Sequence, residues 1–290
     1  MRILITGANG HLGMRLIASL SLNHEVVSVV RSESACKKIS DLNCTAHIVD
    51  YSDSGGLAAA ASECDCAVHL VGIIKKTGNN SYEQAHELSC EALVTAARMA
   101  GLKQIVSVSI IGSDITSRNA CLASRGRSEN ILLDGDVPAT IIRVPMVLGE
   151  DDFASRSLAK KAKSGICFTF RASSLEQPIY AGDLVNAIAA VIQRPPGNEI
   201  MELAGMESVT RRELIARAGT TVGSQPSIIS IPLFLGLCIG KLLELLLRSP
   251  PVTADMIDIL DHDDQIDARL TARQLGIELT SLDQTLVKVI

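Results

Sequence analysis

The feature that most constrains the fold is a glycine-rich turn between a short apolar run and a stretch with helical apolar spacing. Residues 2–6 read RILIT, residues 14–22 read MRLIASLSL, and Gly7, Gly10 and Gly13 stand between them as GxxGxxG. In dinucleotide-binding units the first glycine permits the tight turn, the second lets backbone approach the diphosphate, and the third lets helix and strand pack closely. The helix N-terminus then offers N–H groups and a positive dipole end. The predicted diphosphate-binding residues are Gly7, Asn9, Gly10, His11, Leu12 and Gly13; a glycine turn without a ligand is the alternative.

Apolar runs alternate with helical patterns over the first half of the chain. The predicted strands are 2–6, 25–30, 46–49, 67–71, 104–109 and 139–144, and helical stretches lie near 55–62, 82–100 and 121–134. This alternation predicts an α/β fold with a doubly wound parallel sheet of the Rossmann type. We expect a nucleotide-binding domain over 1–149 and a smaller, interleaved C-terminal region over 150–290, with 183–203 returning to the sheet.

The residue that ends the second strand faces the adenosine ribose in this fold. An acidic residue there binds the 2′-hydroxyl of NAD, whereas this chain has Arg31, followed by Ser32. Because a guanidinium suits a 2′-phosphate, NADP(H) is predicted over NAD(H).

Three further strand ends supply candidate cofactor contacts. Asp50 is placed to accept from the adenine amino group, with Tyr51 beside it, although either residue could instead cap the next helix. Val71 and Gly72 end the fourth strand, where the chain must pass close to the cofactor; a plain strand-to-loop glycine is the alternative.

Composition and residue spacing limit the kinds of ligand and partner that this chain is expected to bind. A net charge of −5 with no run of Lys or Arg argues against nucleic acid. Eight irregularly spaced cysteines without a ligand pattern indicate reduced thiols, and no metal site is expected. Acidic runs at 150–152 and 261–264 lack the offsets of a hard-cation loop, so they are interpreted as solvated loops. The start of the chain carries no leader pattern, and we expect a cytoplasmic protein.

One segment raises the question of a membrane. Residues 232–248 read PLFLGLCIGKLLELLLR, with Lys241 and Glu244 interrupting the apolar run. A transmembrane helix needs about 18 or more uninterrupted apolar residues and is therefore disfavoured. Packing against the body or a protein partner is the main expectation, and peripheral membrane contact is the alternative.

Along most of its length the chain resembles the short-chain dehydrogenase/reductase superfamily, in its atypical and extended branches. The blocks ITGANGHLG, HIVDYSD, VHLVG, IVSVSIIGSD, IIRVPMVLG and QPIYAGDLVNAI carry the resemblance. The tail, from SIPLFLG to LGIELTSLDQTL, is similar to the branch that contains the accessory NADPH-binding subunit of respiratory complex I.

The resemblance implies a catalytic Tyr-x-x-x-Lys pair and a Ser or Thr after the fifth strand, and this chain departs from both. Cys121 and Arg125 occupy the Tyr and Lys positions, so the catalytic residues are unknown. Arg125 keeps a cation that can hold the cofactor near the nicotinamide ribose. The serine position falls on Ile111, and Ser109 lies two residues earlier as a possible hydroxyl.

Other nucleophilic or acid–base arrangements have weaker support. Cys121 beside Arg125 and Arg127 is a conceivable nucleophile, since cations depress a thiol pKa. His69 lies in a buried strand, where a satisfied core histidine is the expected role. Two functions therefore stay open. One is NADPH-dependent reduction of a lipophilic carbonyl or quinone-like small molecule; the other is a non-catalytic dinucleotide-binding module of a larger, membrane-associated protein assembly. The oligomeric state is not indicated.

Overall fold

The computed structural model describes residues 1–77, 80–247, 253–259 and 262–290. Arg248, at the end of the apolar segment, and Asp261, at the start of the second acidic run, lie outside the described residues. The strands are β1 (Arg2–Thr6), β2 (Glu25–Val30), β3 (Thr45–Ile48), β4 (Cys66–His69), β5 (Gln104–Ile110), β6 (Ala139–Val144), β7 (Val147–Leu148), β8 (Ile166–Phe170), β9 (Leu175–Glu176), β10 (Ile179–Tyr180), β11 (Glu199–Glu202), β12 (Val209–Thr210) and β13 (Ser227–Ile231).

The helices alternate with these strands. They are α1 (His11–Leu20), α2 (Glu33–Lys38), α3 (Ser54–Ala60), α4 (Ser89–Ala100), α5 (Ala120–Leu133), α6 (Phe153–Lys163), α7 (Ala181–Gln193), α8 (Arg211–Thr221), α9 (Leu233–Leu246), α10 (Ala254–Ile259), α11 (Ala268–Leu275) and α12 (Leu282–Val289). A π-helical turn, Glu83–Leu88, leads directly into α4.

Over the described residues, seven strands form the main sheet in the order β11-β6-β5-β4-β1-β2-β3. Every neighbouring pair in this sheet is parallel. The prediction of a doubly wound α/β Rossmann fold is therefore confirmed: β4 is the middle strand, and the order in which the chain adds strands to the sheet reverses between β1 and β4.

Both faces of the sheet are covered, which explains why its strands read as continuous apolar runs. Along β1, Ile3 and Ile5 point to the side where α1 and α7 pack, and Leu4 points to the side of α3 and α4. All three side chains are fully buried. The sheet is thus held by one hydrophobic layer on each face, and its carboxyl-terminal edge is left for binding.

The C-terminal half contributes to the sheet and also forms a smaller layer beside it. Residues 183–203 supply most of α7 and the outermost strand, β11, which pairs with β6. A separate apolar cluster joins α6, α8 and α12 under strand β8, with Leu158, Leu214 and Leu286 at its centre.

The apolar segment forms α9, a helix of 14 residues. At a rise of about 1.5 Å per residue it is about 21 Å long, against a hydrocarbon core of about 30 Å. In the part of the chain that is described, no helix is long and apolar enough to cross a membrane.

The β1–α1 turn depends on a glycine where no side chain fits. A Cβ on Gly13 would lie 2.6 Å from the carbonyl oxygen of Gly7 and 2.7 Å from that of Ala8. We therefore expect Gly13→Ala to lower the free energy of unfolding by about 1–3 kcal/mol, because the backbone must shift to admit the methyl group.

Gly55 in α3 is the matched control, since a Cβ there meets nothing nearer than 3.5 Å. Gly55→Ala should stabilise the fold by about 0.5–1 kcal/mol through helix propensity. Urea unfolding followed by circular dichroism measures both. Equal stability of the Gly13→Ala and wild-type proteins would contradict the close packing.

Candidate functional site

A cleft of about 690 Å³ opens at the carboxyl ends of β1, β2 and β4. Its lining residues come from the β1–α1 turn, the ends of β2 and β4, the loop after β3 and the π-helical turn before α4. They are Gly7, Asn9, Gly10, Arg31, Ser32, Ala35, Asp50, Tyr51, Ser52, Leu70, Val71, Gly72, Ile73, Asn80, Gln84, Ala85 and Leu88. The structure thus brings together eight residues that the sequence predicts: Gly7, Asn9, Gly10, Arg31, Asp50, Tyr51, Val71 and Gly72.

The floor of the cleft is the β1–α1 turn. Gly7 has φ +74°, and a Cβ on it would lie 2.9 Å from the carbonyl carbon of Leu70 at the end of β4. Gly10 is the N-cap of α1 and provides no side-chain cap, in contrast to the capped N-termini of α2 and α3. The first intrahelical bond runs from Met14 N–H to Gly10 O. The N–H groups of the first helical turn therefore point outward, as an anion site requires.

His11, Leu12 and Gly13, also predicted to contact the diphosphate, form this first turn of α1. None of the three is among the residues that line the cleft. Gly13 faces the backbone of Gly7 and Ala8 beneath the turn. Gly13 therefore lets α1 pack closely against the backbone that leaves β1, as the glycine pattern predicts for its third glycine.

At one end of the cleft, Arg31 follows β2. Its exposed guanidinium lies over the ring of Tyr51, with Cζ 5.4 Å from the ring centroid. The Tyr51 hydroxyl accepts the Gly7 N–H at 3.1 Å and donates to the Val29 carbonyl at 3.2 Å. Tyr51 therefore ties the glycine turn to β2 and supports the arginine from below.

Asp50 lies beside this arginine and does not cap a helix. Its Oδ1 accepts from the Ser52 N–H and hydroxyl, and Asp53 caps α3 instead. The hydrogen bonds from Ser52 and the positive charge of Arg31 lower the pKa of Asp50. The carboxylate is ionised at neutral pH and stands at the rim of the cleft.

At the other end, Val71 and Gly72 leave β4 next to Arg125 of α5. Arg125 Nη1 donates to the Val71 carbonyl at 3.4 Å, and its Nε is buried without a partner among the described residues. A side chain on Gly72 would collide with this guanidinium. Because Gly72 has no side chain, the Arg125 guanidinium can lie against the backbone directly beneath the cleft.

Cys121 lies one helical turn before Arg125 and is fully buried. Its Sγ is 3.5 Å from the Ile73 carbonyl, and the Tyr82 hydroxyl lies beside it. Burial raises the pKa of the Cys121 thiol to about 11, against the opposing effect of Arg125. Because desolvation outweighs the nearby charge, the thiol is neutral at pH 7, and this environment does not support a cation-activated thiolate nucleophile.

Ser109 does not reach the cleft. Its hydroxyl donates to Glu129 Oε1 at 2.5 Å and lies 3.3 Å from the Ser113 hydroxyl, in a buried network that includes Arg143. The structure thus gives Ser109 a place in the packing of β5 against α5.

Two histidines are buried behind the cleft. His69 Nδ1 is 2.8 Å from the Thr6 hydroxyl, as expected for a core histidine, and His86 Nε2 is 3.1 Å from the Ile73 nitrogen. Burial lowers the pKa of each to about 3, with Arg125 adding to the effect. Both rings are neutral at pH 7 and are poor proton sources there.

The sequence analysis missed the residues from the π-helical turn, Gln84, Ala85 and Leu88, which close one wall of the cleft. Their pattern is that of any amphipathic helix start. Ser32 also lines the cleft, and its position directly after Arg31 in the sequence could have predicted this contact.

Comparison with known proteins identifies the class. A family model described as NAD(P)H-binding matches residues 7–166. The chain belongs to the NAD(P)H-binding family. The matched residues include the glycine turn, Arg31 and the region of Arg125. The cleft described above therefore lies within the domain that this NAD(P)H-binding protein shares with the family.

Relatives and solved structures agree with the resemblance to short-chain dehydrogenases/reductases that the sequence indicates. The chain is 23% identical over 239 residues to NADH dehydrogenase [ubiquinone] 1 alpha subcomplex subunit 9 of Arabidopsis thaliana, covering 79% of this chain and 60% of that one. It is 25% identical over 234 residues to ceramide reductase of Caulobacter vibrioides, covering 79% and 73%. The NADPH complex of an Escherichia coli NADPH-dependent quinone oxidoreductase superposes with TM-score 0.75 at 20% identity over 98% of each chain, which shows the shared fold.

The buried histidines predict a pH-dependent stability. Because their pKa values lie near 3 in the folded chain and near 6.5 when unfolded, the unfolded state binds more protons below about pH 6.5. Stability should be complete above that value and fall on acidification by about 1.4 kcal/mol per pH unit for each histidine. Urea unfolding between about pH 7 and about pH 5 measures the slope.

His69→Gln and His86→Gln should each reduce this slope, whereas His11→Gln, at an exposed position, should leave it unchanged. A wild-type slope that neither buried substitution alters would contradict the assignment.

Proposed function

We propose that this protein is an NADPH-dependent oxidoreductase that reduces a lipophilic carbonyl or quinone. The observation that carries the cofactor preference is Arg31, whose exposed guanidinium stands at the end of β2 on the wall of the cleft. An NAD site has a carboxylate at this position to bind the ribose hydroxyls. A guanidinium there favours the 2′-phosphate of NADPH.

The remaining residues of the cleft fit the same nucleotide. The open N-terminus of α1 is suited to the diphosphate, and Asp50 is suited to the adenine amino group. Arg125, whose buried Nε has no hydrogen-bond partner in the part of the chain that the structure describes, is suited to the nicotinamide ribose beyond Gly72. When bound, NADPH supplies a hydride.

The substrate class rests on the surroundings of the reactive end and on the relatives. The Caulobacter relative is named a ceramide reductase and the Escherichia coli neighbour a quinone oxidoreductase. In this chain α10 packs against the N-terminus of α5, and the apolar helix α9 packs against α10. An apolar substrate is compatible with such a border, and a sugar nucleotide is less so.

The acid that protonates the product differs from that of the superfamily. Cys121 is a buried neutral thiol bonded to a backbone carbonyl, and Arg125 does not give up its proton at neutral pH. The proposed reaction therefore draws its proton from water, and a quinone, whose reduced oxygens are weakly basic, suits this arrangement better than a simple ketone.

A second candidate function is a non-catalytic dinucleotide-binding module of a larger assembly. The replacement of the expected Tyr and Lys by Cys121 and Arg125 favours it, because cofactor binding survives these changes more easily than proton transfer. The Arabidopsis relative is named as a subunit of NADH dehydrogenase, and the match spans 60% of its length.

The cofactor preference has a direct test. Arg31→Ala should weaken NADPH binding by about tenfold to a hundredfold and leave NADH binding unchanged, because one charge-assisted contact to the 2′-phosphate is lost. Isothermal titration calorimetry of both nucleotides measures it. Arg98→Ala, an exposed arginine on α4, is the matched control. Equal affinity of the wild type for NADPH and NADH would refute the preference.

Turnover separates the two candidate functions. Oxidation of NADPH should be observed with a quinone or a long-chain ketone and should show a raised KM for NADPH, with little change in kcat, in Arg31→Ala. Tight NADPH binding without turnover on quinones, ketones and aldehydes would overturn the oxidoreductase proposal and leave the binding module.

A further inference from the structure

Helix α9 is apolar on nearly all of its sides and is exposed on most of them. Leu245, Leu246 and Phe234 are 82%, 68% and 62% exposed. Among its described side chains and backbone, only Gly236 and Gly240 are buried. A helix that is hydrophobic all round is normally surrounded by other apolar groups. Its present neighbours leave that requirement unmet.

The two glycines are where α9 meets the rest of the chain. A Cβ on Gly236 would lie 2.7 Å from the Phe170 ring of β8, and one on Gly240 would lie 2.7 Å from the Ala254 nitrogen of α10. The helix is therefore attached along the line of these two glycines. Of its other described side chains, Leu233, Leu237 and Leu243 are half-buried and the remainder are exposed.

The apolar surface continues onto the strand pair β8–β13. Residues two apart on a strand share a face, so Ile166 and Phe168 lie on the side of Phe170, where α9 is attached. Both are 60% exposed, and Ile229, which is paired with Phe168 across the parallel ladder, is 44% exposed. The exposed apolar side chains of α9 and of this strand pair therefore form one continuous face, whereas most exposed hydrophobic residues of a protein are scattered singly over its surface.

This face is connected to the reactive end of the cleft through α10. Asn119 Nδ2 donates to the Asp255 carbonyl and to Asp258 Oδ2, both at 3.0 Å, while its Oδ1 accepts from the Cys121 N–H at 3.0 Å. One side chain thus joins the α9–α10 pair to the N-terminus of α5, at the position that holds Cys121.

Cations accompany the apolar surface at this end of the molecule. Lys241 is exposed within α9, Arg118 is exposed immediately before Asn119, and exposed Lys76 lies over the ring of Tyr82, 4.9 Å from its centroid. Tyr82 is the residue beside Cys121. Two carboxylates of α10 lie at the same junction: Asp258 accepts from Asn119, and the charge of Asp255 acts on Cys121.

We propose that the α9 face docks on a lipid bilayer containing anionic lipids, with α9 embedded at the interface and the cleft opening beside it. The apolar side chains exposed on α9 can enter the hydrocarbon boundary together, while the side that is attached to β8 and α10 stays outside it. The exposed cations match anionic headgroups, and the length of α9 suits an interfacial position. Docking there brings the N-terminus of α5, which contacts the cleft-lining residue Ile73 through Cys121, next to a membrane-dissolved substrate. The docking itself does not depend on the proposed reaction.

Vesicle flotation of the full chain tests this proposal. The protein should float with phosphatidylcholine vesicles that contain phosphatidylglycerol and much less with phosphatidylcholine alone. The double substitution Leu245→Glu and Leu246→Glu should reduce the bound fraction at least tenfold, because two apolar side chains leave the hydrocarbon. Lys241→Glu should weaken the dependence on anionic lipid.

Leu22→Glu is the matched control, since Leu22 is 79% exposed in the turn between α1 and β2, and it should bind vesicles as the wild type does. NADPH affinity, measured on the same preparations, should be unchanged in all variants, so a failure of the cofactor proposal is seen separately. Wild-type protein that stays unbound to anionic vesicles would overturn the proposal. So would a concentration-dependent dimer that the double substitution disperses without any vesicle binding, which would assign the face to a second copy of the chain.

Discussion

The close approach of the β1–α1 turn to the end of β4 is the constraint on which the site depends. Gly7 adopts a left-handed conformation against the Leu70 backbone, and Gly13 packs against the carbonyl groups of Gly7 and Ala8. This packing leaves the N-terminus of α1 without a side-chain cap and places its N-cap residue, Gly10, on the wall of the cleft. The same backbone arrangement holds Tyr51, and through Tyr51 it supports Arg31. The positions of Gly10, Tyr51 and Arg31 on the wall of the cleft thus depend on one tight turn.

The sheet could be predicted from the sequence because its strands are buried on both faces. Such strands read as uninterrupted apolar runs, and the alternation with helices fixes their parallel direction. Beyond residue 149 three of the described strands, β9, β10 and β12, have only two residues each, and the pairing of β8 with β13 joins residues that are about sixty positions apart. No local pattern encodes that contact. The π-helical hydrogen bonding of the turn before α4 could not be predicted either, since its apolar spacing is that of an ordinary α-helix.

The candidate site shows the same division. Residues whose location is set by backbone position, such as Gly7 and Arg31, could be placed at the cleft because each directly follows a strand. Residues whose role is set by burial could not. Cys121 stands beside two arginines in the sequence, yet its thiol pKa is raised because the side chain is enclosed. Ser109 is close in sequence to the expected hydroxyl and is instead bonded to Glu129. Charge and proximity are visible in a sequence, whereas desolvation and side-chain direction require the fold.

The account of this protein as an NADPH-binding reductase rests on where the nucleotide lies. A crystal structure of the chain with NADPH tests it most directly. We expect the 2′-phosphate against Arg31, the diphosphate at the N-terminus of α1, and the nicotinamide ribose beside Gly72 and Arg125. A 2′-phosphate directed away from Arg31, or a nucleotide bound outside this cleft, would contradict the account.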